Sequence, residues 1–354
     1  MTHLRRADRQ AALIGQTDML RIRSLSDIAG SDIFLKCEFQ NPGGSIKDRA
    51  ALQMVEDAMQ AGDLRPGMTI VEGTAGNTGI GLAVVAKSLG LDLLVVMPND
   101  QTREKTQMIE LHGAQLLAVD PVPFKDENHF YHTARRLGEE RPDYWWANQF
   151  ENTSNMRAHY LHTGPEIYQQ LEGKVDILVS VSGTGGTIAG NSRYLKEQNS
   201  ELEVWLADPD GSGLFSYLKS GEFKSTGSSM TEGIGIMRRV ENFRQAQVDY
   251  AINLPDQDLV SIAEFVRRHD GIVLGSSTAL NVAAAFYAAL QRPTGQRIVT
   301  FACDLGERSS SKLYNPEYLE GRGLEPEPEP IERLAARYRE EDERLLKVTR
   351  DYTR

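Results

Sequence analysis

The sequence predicts an α/β protein made of two doubly wound, mostly parallel sheet domains. Short uninterrupted apolar runs, such as residues 91–97 and 175–181, are typical of strands that are buried on both faces. Segments with helical spacing, such as residues 80–89, separate these runs. This alternation indicates parallel sheets covered by helices, and a chain of 354 residues is long enough for two such domains.

The individual elements follow from the same patterns in chain order. The predicted strands are residues 33–37, 69–71, 91–97, 116–119, 145–150, 175–181, 204–207 and 298–302. The clearest predicted helices are residues 50–61, 80–89, 102–112 and 258–268. We therefore expect an N-terminal α/β domain over residues 1–155 and a C-terminal α/β domain over residues 156–316. Residues 1–45 are candidates to pack on the C-terminal domain.

Residues 317–354 have a different composition. The alternation of Glu and Pro over residues 325–330 predicts a stiff, extended spacer. Residues 331–348 predict a charged helix with a thin apolar edge, which docks on the body of the protein, docks on a partner subunit or stays in solvent. Because this tail contains no chemically distinctive group, we expect it to be dispensable for the chemistry.

The composition argues against several classes of partner. A net charge of −11 disfavours nucleic acid and anionic membrane surfaces. No apolar run reaches membrane-spanning length, and the polar N-terminal residues lack the pattern of a signal peptide, so we expect a cytoplasmic protein. Cys37 and Cys303 have neither metal-ligand spacing nor a disulfide framework, so we expect both to be buried and predict no metal site. The expected partners are small molecules.

The first loop whose residues suggest a catalytic role is residues 41–49, which read Asn-Pro-Gly-Gly-Ser-Ile-Lys-Asp-Arg. Pro and Gly indicate a tight turn, and Ser45 is a candidate N-cap for the helix that follows. Lys47 therefore lies where a turn enters a helix. Partial desolvation and nearby backbone N–H groups there favour the uncharged amine that Schiff-base chemistry needs. A surface lysine at a helix start is the ordinary alternative.

Three further loops are candidates to bind a ligand: residues 72–79 and 182–187 follow predicted strands, and residues 275–278 follow the short segment 271–274. Residues 72–79 contain glycines that let the backbone approach a ligand, and a helix N-terminus favours an anion. In residues 182–187, successive glycine amides and two threonine hydroxyls are able to surround a phosphate, but the G-x-G-x-x-G spacing of a dinucleotide site is absent. Residues 275–278 place serine hydroxyls at a helix start, where they are also potential N-caps. A tight strand-to-helix turn without a ligand remains the alternative for residues 72–79.

In their order and spacing, these four loops resemble the fold-type II pyridoxal-phosphate (PLP) enzymes of the cysteine synthase and cystathionine β-synthase family. Further matching segments are residues 14–20, 149–152, 163–167, 232–235 and 306–308. The resemblance extends from residue 14 to residue 314. It implies a fold like that of the tryptophan synthase β-chain, with PLP in the cleft between the two domains.

The resemblance also implies roles for individual residues. Lys47 would carry PLP as an imine and act as the catalytic base, and Asn77 would contact the ring hydroxyl oxygen. Ser277 would face the pyridine nitrogen, with Ser276 as the alternative. The implied phosphate site consists of Gly183, Thr184, Gly185, Gly186 and Thr187. The implied substrate site includes Thr74, Ala75, Gly76, Thr78 and Gln149, with Ala75 in place of the family's usual Ser.

The implied reaction is β-replacement on an activated serine. O-Acetylserine or O-phosphoserine would react with sulfide or thiosulfate, through an aminoacrylate intermediate, to form cysteine or S-sulfocysteine in a homodimeric enzyme. Three alternatives stay open: β-elimination of the cysteine desulfhydrase type, condensation of the cystathionine β-synthase type, and a catalytically silent scaffold homologue.

Arg238 and Arg239 follow residues 232–235, a segment that in the family lies near the substrate entrance. They replace a mostly uncharged stretch. A guanidinium group binds a phosphate or a thiosulfate better than an acetyl group or sulfide. We therefore add both arginines to the substrate site and expect an anionic donor to be preferred. The alternative is that both are solvated surface charges.

Overall fold

The structure, a computed structural model, describes residues 7–74, 76–100, 103–340, 343–349 and 351–352. The chain divides into two units. Unit 1 comprises Met1–Gln16 and Asn41–Ala158, and unit 2 comprises Thr17–Gln40 and His159–Arg354. A short N-terminal segment, residues 17–40, thus belongs with the C-terminal half of the chain, and so does the acidic tail.

Strands occur throughout both units. In chain order they are β1 Met19–Arg21, β2 Asp32–Cys37, β3 Thr69–Gly73, β4 Asp92–Pro98, β5 Gln115–Val119, β6 Tyr144–Trp146, β7 Ile177–Val181, β8 Glu203–Pro209, β9 Tyr250–Leu254, β10 Arg297–Ala302 and β11 Leu345–Lys347.

Helices separate most of the strands. In chain order they are α1 Arg23–Ala29, α2 Lys47–Ala61, α3 Asn77–Leu89, α4 Arg103–Leu111, α5 Phe130–Glu140, α6 Ser154–Ala158, α7 Gly164–Gln170, α8 Gly186–Gln198, α9 Leu214–Ser220, α10 Glu241–Arg244, α11 Asp256–Asp270, α12 Ser276–Leu290, α13 Pro316–Gly321 and α14 Ile331–Arg339. Short 3-10 turns cover Gln10–Leu13, Glu38–Gln40 and Gly306–Ser309, and a π turn covers His159–Thr163. In the part of the chain that the structure describes, none of the helices combines the length and apolar character needed to span a membrane.

Unit 1 is built on a parallel sheet with the strand order β5-β4-β3-β6. Ile70, Val71 and Val95 on its central strands are fully buried, as expected for strands covered on both faces. Because all four strands are parallel, the loops that follow β3 and β6 leave the same edge of the sheet. Loops at the carboxyl ends of parallel strands are the usual location of ligand sites in such folds.

Unit 2 is built on a larger sheet with the order β1-β2-β10-β7-β8-β9-β11. The five inner strands are mutually parallel, and β1 and β11 are antiparallel at the two edges. The helix α12 packs against this sheet and is buried at every position from Ser276 to Ala289. Its Ala-rich sequence fits this close packing, because small side chains let a helix approach its neighbours.

The predicted α/β class is confirmed, and the predicted strands correspond to β2–β8 and β10. The predicted strand at residues 145–150 is shorter than expected, because the chain turns at Asn148, which has a positive φ of 52°. The sequence does not predict β1 or β9. β1 has only three residues, and the apolar pattern of β9 is interrupted by Asn253.

The predicted helix over residues 331–348 is wrong in its second half. Helix α14 ends at Arg339, because Glu340 adopts an extended conformation, and β11 pairs antiparallel with β9. In that pairing Leu345 lies opposite Ile252 and Leu346 opposite Ala251. Tertiary pairing with an available strand edge therefore overrides the local helical preference of this charged segment.

Helix α14 docks on unit 2 through its predicted apolar edge. Ile331, Leu334, Ala335 and Tyr338 are buried. The Tyr338 hydroxyl donates a hydrogen bond of 2.9 Å to Asp258, and Arg337 donates two to the same carboxylate at 2.7 and 3.1 Å. This bidentate pairing raises the pKa of the Arg337 guanidinium. The tail is thus an integral part of unit 2 rather than a solvated appendage.

Candidate active site

Lys47 lies at a rigid turn in unit 1. It is the first residue of α2 and is half-buried. The neighbouring Asp48 is fully buried, and its carboxylate accepts a hydrogen bond of 2.5 Å from Gly43 N, which closes the turn before the helix. The prediction that Ser45 is the N-cap is wrong, because Ile46 occupies that position and Ser45 Oγ accepts instead from Lys47 N at 3.3 Å. The turn therefore fixes the backbone position from which the Lys47 side chain extends.

The loop between β3 and α3 contains the next candidate residues. Thr74 is buried, its backbone N–H donates to Val96 O at 3.0 Å, and its hydroxyl accepts from Gly76 N at 3.3 Å. Gly76 precedes α3, so Asn77 and Thr78 are the first two residues of that helix. Backbone N–H groups at such a helix start are suited to bind a carboxylate. Ala75 lies outside the described residues.

Gln149 joins the same loop through its side chain. Its Oε1 accepts a hydrogen bond of 2.6 Å from Thr78 Oγ1, and its Nε2 donates one of 3.1 Å to Glu72 Oε1. Asn155 Nδ2 also holds the backbone carbonyl of Gln149 at 2.8 Å. The structure thus brings two predicted substrate residues into one buried network, and it adds Glu72, which sequence reasoning missed. The available signal was a charged residue inside the apolar strand Thr69–Gly73.

The predicted phosphate loop of unit 2 follows β7 and opens α8. Gly185 has a positive φ of 87° and immediately precedes the helix, which begins at Gly186. A Cβ atom at Gly185 would collide with the backbone of Phe243, and one at Gly183 would collide with the carbonyl oxygen of Gly233. The glycines are therefore required by packing as well as by backbone conformation. They leave bare backbone N–H groups at the positive end of α8, which suits a phosphate.

Threonine side chains complete this loop. Thr184 is buried and Thr187 is half-buried. The Thr187 hydroxyl lies 3.2 Å from His159 Nε2, and His159 Nδ1 lies 2.9 Å from Thr163 Oγ1. His159 is a second residue that sequence reasoning missed, since nothing in its local sequence marks it as a neighbour of the glycine loop.

The two serines at the start of α12 differ in their partners. Ser276 Oγ accepts from Glu232 N at 3.3 Å, and Ser276 N donates to Ser309 Oγ at 2.9 Å. Ser277 is only 6% exposed, and within the described residues nothing forms a hydrogen bond with its hydroxyl. This difference favours Ser277 as the residue that is available to a ligand.

The segment 232–239 lies against the phosphate loop within unit 2. Gly235 N donates to Ser182 O at 2.9 Å, and Glu232 forms an ion pair of 2.5 Å with Lys312. Arg238 is half-buried, whereas Arg239 is exposed. The exposure of Arg239 fits the surface-charge alternative for that residue, whereas Arg238 is partly withdrawn from solvent.

The residues present fit a phosphorylated ring such as PLP. In the glycine loop 183–187, the backbone of Phe243 and of Gly233 leaves no room for a Cβ atom at Gly185 or Gly183, and the helix start at Gly186 favours an anion. Ser277 offers a buried hydroxyl, and Lys47 offers an amine at a fixed turn. This set of groups matches the needs of a PLP site in chemical type.

Comparison with known proteins agrees with this chemistry. The family described as "Pyridoxal-phosphate dependent enzyme" matches residues 11–304. "Cysteine synthase 2" of Schizosaccharomyces pombe is 45% identical over 337 residues, which cover 89% of this chain and 85% of that protein.

Two solved structures are also similar over nearly their whole length. An O-acetylserine dependent cystathionine beta-synthase from Helicobacter pylori has a TM-score of 0.79 and 30% identity, covering 87% of this chain and 99% of that one. An O-acetyl serine sulfhydrylase isoform 3 from Entamoeba histolytica has a TM-score of 0.83 and 28% identity, covering 96% of this chain and 98% of that one. The chain therefore belongs to the fold-type II pyridoxal-phosphate-dependent enzymes of the cysteine synthase family, and pyridoxal phosphate is its cofactor.

Proposed function

We propose that this enzyme makes cysteine or a close derivative by β-replacement, in which a sulfur nucleophile replaces the substituent on Cβ of an activated serine. The observation that carries the proposal is Lys47, held as the first residue of α2 by a turn that Asp48 closes. A lysine that must both retain a cofactor and transfer a proton needs a backbone position that is fixed in this way. The similarity to cysteine synthases supports the same reaction class.

Each group of the chain then has a distinct task. PLP supplies an electron sink for the electron pair left when the Cα–H bond of the substrate breaks. Lys47 Nζ would hold the cofactor through its aldehyde carbon and would accept the Cα proton of the substrate as general base. The N–H groups and hydroxyls of residues 183–187 would bind the phosphate. Asn77 would contact the ring oxygen, and Ser277 would contact the ring nitrogen.

The α-carboxylate of the substrate is assigned to the start of α3. Thr74, Gly76, Thr78 and Gln149 surround this helix terminus, where hydroxyl, amide and backbone donors meet the positive end of the helix dipole. The donors in this set are neutral, so the site would recognise the carboxylate by hydrogen bonds rather than by an ion pair. Ala75 belongs to the same proposed site by its position in the sequence.

For the donor, we propose that Arg238 favours an anionic substrate, O-phosphoserine or thiosulfate, over O-acetylserine with sulfide. Arg238 is half-buried and follows Gly235, which is bonded to the phosphate loop. Loss of a bidentate contact to an anion costs roughly 1.5–3 kcal/mol, or about one to two decades in kcat/KM. Arg239→Met is the matched control, because Arg239 is adjacent and exposed.

The test of this donor preference is kcat/KM for Arg238→Met and Arg239→Met with each donor. We expect a selective loss with the anionic donors for Arg238→Met and little change for Arg239→Met. Small and equal losses with all donors in both variants would show that the arginines are surface charges.

The reaction itself is tested by a screen of products. O-Acetylserine, O-phosphoserine and serine are each offered with sulfide, thiosulfate or homocysteine, and the products are identified by mass spectrometry. Cysteine or S-sulfocysteine is expected. Pyruvate formed without a thiol would favour β-elimination, and cystathionine formed from homocysteine would favour the activity named for the Helicobacter pylori relative. The homodimer and the cytoplasmic location stay predictions.

A further inference from the structure

Tyr352, in the acidic tail, is a buried residue that the proposed chemistry does not use. Its side chain is only 6% exposed, and its ring stacks on that of Phe243, with the two ring centroids 5.9 Å apart. Its hydroxyl donates a hydrogen bond of 3.1 Å to Ala246 O and accepts one from Val248 N. Burial raises the pKa of this hydroxyl, so it stays protonated and able to donate at neutral pH. The tail is thus tied to residues 243–248.

Phe243 connects this contact to the loop assigned to the phosphate. It is a buried residue of α10, which packs on α8. Gly185 directly precedes α8, and a Cβ atom on it would lie 2.5 Å from both the backbone nitrogen and the Cα of Phe243. The backbone of Phe243 is therefore packed against the glycine loop, while its ring is packed against Tyr352. A displacement of Phe243 would move the group that supports Gly185.

The segment that follows Phe243 is held from two sources. Two hydrogen bonds come from α8, namely Arg193 Nη1 to Gln245 Oε1 at 2.9 Å and Gln247 N to Ser192 Oγ at 3.1 Å. The backbone groups of the alternate residues, Ala246 and Val248, are bound by the Tyr352 hydroxyl. Both bonds from α8 attach beyond Phe243 in the chain, whereas Tyr352 also packs on the Phe243 ring itself. Tyr352 therefore adds a restraint on Phe243 that the bonds from α8 do not supply.

We propose that Tyr352 is a positioning residue for the cofactor phosphate: it holds Phe243 against Gly185, so that the glycine loop keeps the conformation that binds the phosphate. The inference rests on the phosphate site proposed for residues 183–187. Glycines have many accessible backbone conformations, and a packed neighbour that selects one of them lowers the cost of ordering the loop on binding. The tail, which the sequence alone indicates is dispensable for the chemistry, would then contribute to cofactor retention.

The test compares two ligands that differ only in the phosphate. Pyridoxal has the ring and aldehyde of PLP, with a hydroxyl in place of the phosphate. Their dissociation constants are measured by absorbance on the full-length protein after removal of its cofactor, and phosphorus NMR is recorded on the holoenzyme. Tyr352→Leu removes the stacked ring and both hydrogen bonds, whereas Tyr352→Phe removes only the hydrogen bonds. Tyr338→Phe is the matched control, because Tyr338 is another buried tail tyrosine and its hydroxyl binds Asp258 instead.

We expect Tyr352→Leu to raise the dissociation constant of PLP about tenfold, as for one lost hydrogen bond to a charged group, and to leave that of pyridoxal within about twofold. Tyr352→Phe should raise the PLP constant by about threefold, because the ring stack stays. Both variants should shift or broaden the phosphorus resonance. Tyr338→Phe should lower the melting temperature without changing the ratio of the two constants. If Tyr352→Leu does not fold, Tyr352→Phe decides the question by the same ratio.

The route through Phe243 is tested by combining variants. Phe243→Leu keeps the backbone and the Cβ atom that meet Gly185 and removes the ring that stacks on Tyr352. The double variant with Tyr352→Leu should therefore bind PLP nearly as well as Tyr352→Leu alone. Fully additive losses would show that the two residues act independently and would overturn the inference.

Equal weakening of PLP and pyridoxal by the Tyr352 variants would show a purely structural role and overturn the inference, as would unchanged PLP binding. A loss of PLP binding in Gly185→Asp with none in the Tyr352 variants would overturn the inference alone. If Gly185→Asp itself leaves the ratio of the two constants unchanged, the proposed phosphate site and the inference both fall, whereas the β-replacement reaction is judged separately by its products.

Discussion

The protonated state of Glu72 leads to a measurable dependence of stability on pH. The pKa of its carboxyl is raised from 4.5 to about 8 in the folded protein because the group is buried. The folded state therefore binds the proton more tightly than the unfolded chain. The contribution to stability is complete below pH 4.5 and is lost as the pH rises toward 8.

The size of the effect follows from the same shift. Between pH 5.5 and 7.5 the carboxyl is ionised in the unfolded chain and mostly protonated in the folded state. Over this window the free energy of unfolding should fall by about 1 kcal/mol per pH unit, or about 2–3 kcal/mol in total, from this residue alone. Glu72→Gln removes the titrating group while keeping its shape and its acceptor. The variant should therefore lose about 2–3 kcal/mol less than wild type over the same window.

The assay is equilibrium urea unfolding at pH 5.5, 6.5 and 7.5 with saturating cofactor. Trp145 and Trp146 lie in unit 1 and Trp205 lies in unit 2, so tryptophan fluorescence reports on both units. Asp208→Asn is a matched control in unit 2, because burial raises the pKa of the Asp208 carboxyl to about 7. Equal pH slopes for wild type and Glu72→Gln would refute the reasoning, since they would show that Glu72 is ionised in both states.

Three further predictions concern the cofactor and the tail. Lys47→Ala should abolish turnover and the absorbance of the lysine-bound cofactor while circular dichroism stays unchanged; turnover above a small fraction of wild type would contradict the assignment. Gly185→Asp should strongly weaken PLP retention, because its Cβ collides with the backbone of Phe243 and its carboxylate repels a phosphate; full occupancy after dilution and gel filtration would locate the phosphate elsewhere. Tyr338→Phe should cost about 1–2 kcal/mol in unfolding experiments, because Asp258 loses one of its buried donors; no measurable change would show that the arginine contacts suffice.

Much of the architecture could be predicted because buried parallel strands have a simple pattern. Uninterrupted apolar runs identified the strands that are covered on both faces, such as β4 and β7. The strands at the edges of the sheet were harder to predict. Strand β11 consists of three residues in a charged segment, and only its pairing with β9 makes it a strand. Tertiary contacts of this kind leave no periodic signal in the local sequence.

In the candidate site, too, local features could be predicted from the sequence, whereas contacts between distant segments could not. The loops that contain Lys47, Asn77 and residues 183–187 were predicted because glycine and turn chemistry are local. The network around Glu72 was not, since it depends on β3 and β6 being neighbours in the sheet despite a long separation in sequence. The different surroundings of Ser276 and Ser277 could not be predicted from sequence either, because the partner of the Ser276 hydroxyl comes from a distant loop.

The antiparallel strands at the two ends of the larger sheet have a consequence for solubility. An uncovered β9 would present a row of unpaired N–H and C=O groups beside the fully buried residues Ala251, Ile252 and Leu254. Such an edge is a template on which a second chain can add a strand. By covering this edge, the short strand β11 should keep the protein from self-association through open sheet edges. A chain shortened before residue 324 would therefore be expected to fail first by aggregation, even though its glycine loops and its lysine are intact.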